Sequence, residues 1–164
     1  MKPRKLLRLR KVVVEAGSWK VVTGKAKMPG TAFPLSKSFS IQLGRNWHWR
    51  VDVTEGSGIL FRVLTAYNLD LEEYRAVMTV PRGNQHVVIA SLEFHGTHPG
   101  WHCHLPCCDL EDVEAGQGRP RSSNRIPGGH LKHRRKVFGM TESTALAKSF
   151  GFFVITGIPE GSLI

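Results

Sequence analysis

The sequence predicts an α+β fold on a mixed, mainly antiparallel sheet with one or two short helices. Two alternating runs, Phe39-Ser40-Ile41-Gln42-Leu43 and Trp47-His48-Trp49-Arg50-Val51-Asp52-Val53, carry strand periodicity. Turn-forming joints at Glu55-Gly56-Ser57-Gly58 and Pro81-Arg82-Gly83-Asn84 are of hairpin length. Such short joints favour antiparallel pairing over the long crossovers that parallel strands need.

Leu6–Val14 and Ser18–Thr23 read as a basic hairpin around Ala16-Gly17, or as an arm ordered by its partner. Gly44-Arg45-Asn46 would join the two alternating runs, placing Trp47, Trp49, Val51 and Val53 on one face and His48, Arg50 and Asp52 on the other. Further strands are expected over Ile59–Ala66, Tyr74–Val80 and His86–Phe94. Gly116–Gly129 is rich in Gly, Pro, Ser and Arg and reads as a long loop that closes over a polyanion. Thr141 is positioned to cap a helix limited by Gly151, and Phe152–Thr156 would return as a terminal strand.

A chain of 164 residues suits one hydrophobic core. The expected division is a basic arm or hairpin at 1–37 and a compact domain at 38–164 carrying a basic loop at 115–136. Of the +10 net charge, residues 1–37 hold ten Lys or Arg against one acid, and 119–136 hold seven against none. Residues 38–116 reverse the balance, with five bases and ten acids. Basic flanks around an acidic centre predict a polyanion partner, RNA first, with an acidic protein as the competing partner. No apolar run reaches the length of a bilayer-spanning helix and no secretory leader is legible, so a cytoplasmic protein is expected. The three cysteines fall within six positions, unlike a secreted disulfide framework, and are expected to be reduced thiols.

Chemistry concentrates between Glu93 and Asp109, where four of the eight histidines and all three cysteines lie. Paired imidazoles can act as general base and general acid on a phosphate, and RNA supplies its own nucleophile in the 2′-hydroxyl. The expected catalytic pair is His95 and His98, with Arg62, Arg125 or Lys132 stabilising the phosphate charge. Trp101 is expected to stack on a base, and Arg134 and Arg135 to hold the backbone with Arg125.

The same tract also reads as a zinc site: His102 or His104 and Cys107, joined by His130 and His133 from the basic loop, offer the nitrogen and sulfur ligands that zinc takes. Cys103 beside His102 and His104 is a weaker nucleophile reading, because neighbours along a strand point to opposite faces.

The antiparallel sheet, clustered histidines and basic flanks resemble small toxin-type ribonucleases. His95-Gly96-Thr97-His98 is similar to the short motif of two-histidine phosphoesterases, though the second motif of that family is missing: His86-Val87-Val88 and His133-Arg134-Arg135 lack its hydroxyl residue. The leading expectation is therefore an RNA-directed protein with metal-independent endoribonuclease activity and no cofactor. Its alternative is a noncatalytic nucleic-acid or protein-binding module stabilised by structural zinc.

Overall fold

A computed structural model of the chain describes residues 1–96, 100–127 and 139–157. The fold is α+β with few helices: a nine-stranded, mainly antiparallel sheet, covered on one face by helices and on the other by an irregular segment. In chain order the elements are α1 (Pro3–Arg8), β1 (Lys11–Glu15), β2 (Lys20–Val21), β3 (His48–Gly56), β4 (Ile59–Asn68), β5 (Glu73–Arg82), β6 (Gln85–His95) and β7 (Trp101–Pro106). A 3₁₀ turn at Leu110–Asp112, β8 (Ser123–Ile126), α2 (Glu142–Phe153) and β9 (Ile155–Thr156) follow. Among the described residues, no helix is long and apolar enough to cross a membrane.

Strands β3 to β8 form a continuous antiparallel meander. The two-residue joint between β3 and β4 is tight because Ser57 and Gly58 both take positive φ, 54° and 76°, the twist a hairpin turn of this length requires. β1 and β2 do not pair with each other as a basic hairpin would. Both lie along the free edge of β3, at opposite ends, with Val12 opposite Glu55 and Lys20 opposite Trp49. Between them Gly17 runs against the Val51 backbone so closely that a Cβ there would strike the Val51 carbonyl. Its N–H donates to Asp52 at 2.9 Å. This glycine permits a close approach and is not the tip of a hairpin.

The 39–43 run alternates as a strand would, yet its contribution to the ladder is one isolated bridge between Ser40 and Pro34. One edge of β3 is filled by β1 and β2 and the other by β4, so this segment lies across the sheet face. There Ile41 and Leu43 pack with Val22, Met28, Phe33 and Leu35 against Trp49, Leu64, Ala66, Val77 and Val88. Arg62 holds it down, donating to the Ala32 carbonyl at 2.9 Å and the Pro34 carbonyl at 3.3 Å, with its guanidinium over the Phe33 ring. Residues 1–37 thus supply strands and core as well as charge.

On the helix face a cross-strand row runs His48, Tyr67, Tyr74, Phe94, Trp101, each opposite the next. Tyr74 is fully buried and donates to the Ala145 carbonyl at 2.9 Å, tying α2 to the sheet. Thr141 caps α2 through the Thr144 N–H, and Thr144 caps back in turn. The helix continues through Gly151 to Phe153, so the terminal strand is reduced to Ile155 and Thr156, beside β1. Two features favour that extra turn: Phe153 is fully buried, and the buried Lys11 ammonium donates to its carbonyl at 2.9 Å. Lys11 also donates to the Leu7 and Leu9 carbonyls at the end of α1, at 3.1 and 2.7 Å. Replacing Lys11 with Met would leave these buried acceptors unpaired. Urea unfolding should register a loss of about 2 kcal/mol or more.

Candidate functional site

At the β5 to β8 end, the face that carries the irregular segment turns polar. Three successive cross-strand rows make up the patch. Glu73 on β5 lies opposite His95 on β6; Arg75 lies opposite Glu93, which lies opposite His102 on β7; Val77 lies opposite Ser91, then His104, then Arg125 on β8. The period-two alternation of strands explains the gathering: Ser91, Glu93 and His95 share one face of β6, and His102 and His104 share the same face of β7.

Glu93 is the centre. It is 2 % exposed, and three histidine Nε2 atoms converge on its Oε2: His95 at 3.2 Å, His102 at 3.7 Å and His104 at 3.9 Å. Ser91 donates to Oε1 at 3.0 Å, and one Arg119 amino group reaches Oε1 at 3.1 Å and Oε2 at 2.8 Å. The far nitrogens of two rings are also engaged. His102 Nδ1 lies 3.3 Å from the Gly100 carbonyl and is oriented to donate to it, and His95 Nδ1 lies 3.7 Å from Glu73 Oε1. His104 Nε2 is buried without a hydrogen-bond partner among the described residues.

These contacts perturb the groups in different directions. Burial pushes Glu93 upward, but the hydrogen bonds from His102 and His95 and the charges of Arg75 and Arg119 outweigh it, holding the carboxyl well below its usual range. His95 is lifted above its ordinary value, first by its hydrogen bond to Glu93 and against its partial burial. His104 is lowered to about 4, chiefly by burial and then by the Arg119 charge. It is therefore a neutral imidazole at pH 7. Burial lowers Arg75 too, against the attraction of Glu93.

Of the residues singled out from sequence, His95, His102, His104 and Arg125 share this face. Trp101 is on the opposite one, in edge contact with Tyr74 and under the Lys148 ammonium at 4.4 Å, lining an apolar groove of about 610 Å³ beside α2. It is not placed to stack on a ligand at Glu93. Arg62 lies at the other end of the β4 and β5 pairing, opposite Thr79, and is occupied with the 32–34 backbone. Cys107 is exposed, its thiol directed to the Ser122 carbonyl at 2.6 Å, and joins no ligand cluster among the described residues. Cys103 faces the helix side next to Leu92, where burial pushes its thiol up and away from a reactive thiolate. His98, His130, Lys132, His133, Arg134 and Arg135 lie outside the described residues. The 116–129 loop contains β8 and brings in Arg119.

Sequence reasoning missed Glu93 as the hub, along with Glu73, Arg75, Ser91 and Arg119. The signal was present for two of them: Ser91-Leu92-Glu93-Phe94-His95 places a hydroxyl and a carboxylate at alternate positions of one strand, in line with His95. Glu93, His95 and His102 each offer a ligand atom within 4.8 Å of the others, and could hold a metal ion. No known protein family matches this chain, and neither does any curated protein or solved structure.

The buried carboxylate balances Arg75 from within the sheet, whereas Arg119 reaches it from a half-exposed position. Glu93→Gln should therefore cost about 3 kcal/mol in chemical denaturation. Arg119→Ala should cost under about 1 kcal/mol.

Proposed function

We propose that this protein holds one first-row transition ion, zinc by its donor chemistry, at Glu93, His95 and His102, with the fourth position left to water. The convergence of three Nε2 atoms on one carboxylate oxygen carries the reading. Tetrahedral zinc with bonds of about 2.1 Å has ligand-to-ligand edges of about 3.4 Å. The two oxygen-to-nitrogen edges, from Glu93 Oε2 to His95 at 3.2 Å and to His102 at 3.7 Å, bracket that length. The partners of the far nitrogens also fit, since a ligating histidine commonly donates its other N–H to a carbonyl or carboxylate, as His102 does to Gly100 and His95 can to Glu73. Two histidines and a glutamate form a donor set used by hydrolytic zinc sites. This departs from the expected structural zinc on Cys107 and the basic loop, and from a cofactor-free enzyme.

The function this supports is hydrolysis of an anionic ester, with RNA phosphodiesters the substrate class that the +10 charge favours. When bound, the ion would supply Lewis-acid polarisation and a water acidified toward neutrality. Glu93, oriented by Ser91, and His102, oriented by Gly100, present their donor atoms from neighbouring strands. Arg75 and Arg119 offset the carboxylate charge and leave positive potential toward an anionic ligand.

A metal-free nuclease is the second reading, favoured by the Arg119 amino group that already bridges both Glu93 oxygens. In it His95 and a second histidine move the protons and the arginines hold the phosphate.

Elemental analysis of protein purified without chelator should find about one zinc per chain. His102→Ala should abolish that stoichiometry, and Glu73→Gln should weaken zinc binding by about 10-fold through the loss of orientation of His95. Cleavage of end-labelled single-stranded RNA should stop in EDTA and return with added zinc. Cleavage that persists in EDTA selects the metal-free reading, and a protein with neither zinc nor cleavage sinks both.

A further inference from the structure

Beside the Glu93 cluster is a polar groove of about 410 Å³ lined by Ser38, Phe39, Ser40, Ile41, Gln42 and Arg75. Arg75 joins the two places, since it lines the groove and lies directly opposite Glu93 in the ladder. Its Nε is buried and has no hydrogen-bond partner among the described residues. A buried guanidinium donor left unpaired is costly, so its presence here points to a partner that the described residues do not supply.

The rest of the groove narrows the choice of that partner. Two hydroxyls and a carboxamide, on Ser38, Ser40 and Gln42, supply neutral donors and acceptors, and among the described residues no acidic side chain lines the groove. Arg119, which reaches Glu93, directly follows Gly118, and Gly118 runs beside the Phe39 ring, where a Cβ would lie 3.3 Å from Cε1. The backbone leading into Arg119 therefore borders the groove at Phe39, while the Arg119 guanidinium itself sits on Glu93. Phe39 is 46 % exposed, a large aromatic presented to solvent at the rim. Planar guanidinium groups match phosphate oxygens, and an exposed aromatic ring offers a stacking surface to any nucleobase.

We infer that this groove is a nucleotide subsite: Arg75 takes a phosphate group, and Phe39 takes the attached base. The inference deepens the metal-centre reading, on which it rests only for the chemistry next to the bound phosphate. Free nucleotides and the phosphorylated end of an RNA chain present the same group, and both belong among the probes.

Calorimetric titration of the zinc-loaded protein with uridine 5′-monophosphate, uridine, inorganic phosphate and a 5′-phosphorylated RNA tetranucleotide tests the subsite. The monophosphate should bind at least 10-fold more tightly than uridine, and whichever of it and the tetranucleotide binds better identifies the source of the phosphate. Arg75→Gln should weaken the monophosphate at least 10-fold, with the affinity compared at equal zinc content measured on the same samples. Arg75→Lys keeps the charge but loses the planar fork, and should recover only part of the affinity. Phe39→Ala, a substitution at an exposed position, should weaken the monophosphate about 5-fold or more and leave inorganic phosphate unchanged. Equal binding of uridine and its monophosphate, or indifference of the monophosphate to both Arg75 variants, overturns the subsite. Zinc without any phosphate binding rejects the subsite and leaves the metal centre standing. Arg75-dependent binding by a zinc-free protein does the reverse.

Discussion

A carboxylate buried in a β-sheet must be neutralised, and the neutralisation of Glu93 organises the β5 to β8 end of this molecule. An isolated ionised carboxylate removed from water costs far more than a small domain's whole stability, so the group persists only with donors and positive charge around it. Here Ser91, Arg119, Arg75 and three imidazoles surround it. The same arrangement that lowers the cost of the charge also aims nitrogen donors at one oxygen atom, so the neutralisation and the gathering of donors share a single cause.

Strand geometry makes the cluster compact. Side chains directly opposite each other across an antiparallel pair are about 5 Å apart at Cβ, and residues two apart on one strand share a face. Glu93 opposite His102, with His95 and His104 each two residues along, therefore forms a tight quartet from two strands alone. Arg75 extends it to a third strand and Arg119 closes it from the segment before β8. The opposite face of these strands is aromatic and held by α2, so the polar residues sit on a rigid support.

The irregular 22–47 segment has two effects. Its apolar side chains bury the β3 and β4 part of one sheet face, with Arg62 fastening its backbone. Its residues 38–42 then form a wall of the groove at Arg75. One stretch of chain without regular secondary structure thus completes the core and shapes the space in front of the polar cluster.

Period-two alternation and hairpin-length joints made β3 to β6 legible from the sequence, because these are local properties that the backbone must obey. The helix after Thr141 was legible from its cap for the same reason. His102 and His104 on one face followed from strand periodicity alone. Other features depended on which strand edges were already filled and which side chains met across the sheet. The 39–43 run was displaced from the ladder because both edges of β3 were taken, and α2 gained a turn over Phe153 because Lys11, remote in sequence, supplied its last carbonyl with a donor. Arg62 and Trp101 face other neighbours, while Glu93 and Arg75 meet the histidines through cross-strand register and Arg119 joins them from the segment before β8. The sequence determined which residues could share a strand face; only the tertiary structure decided which faces met, because register and edge occupancy are set by packing between segments far apart in the chain.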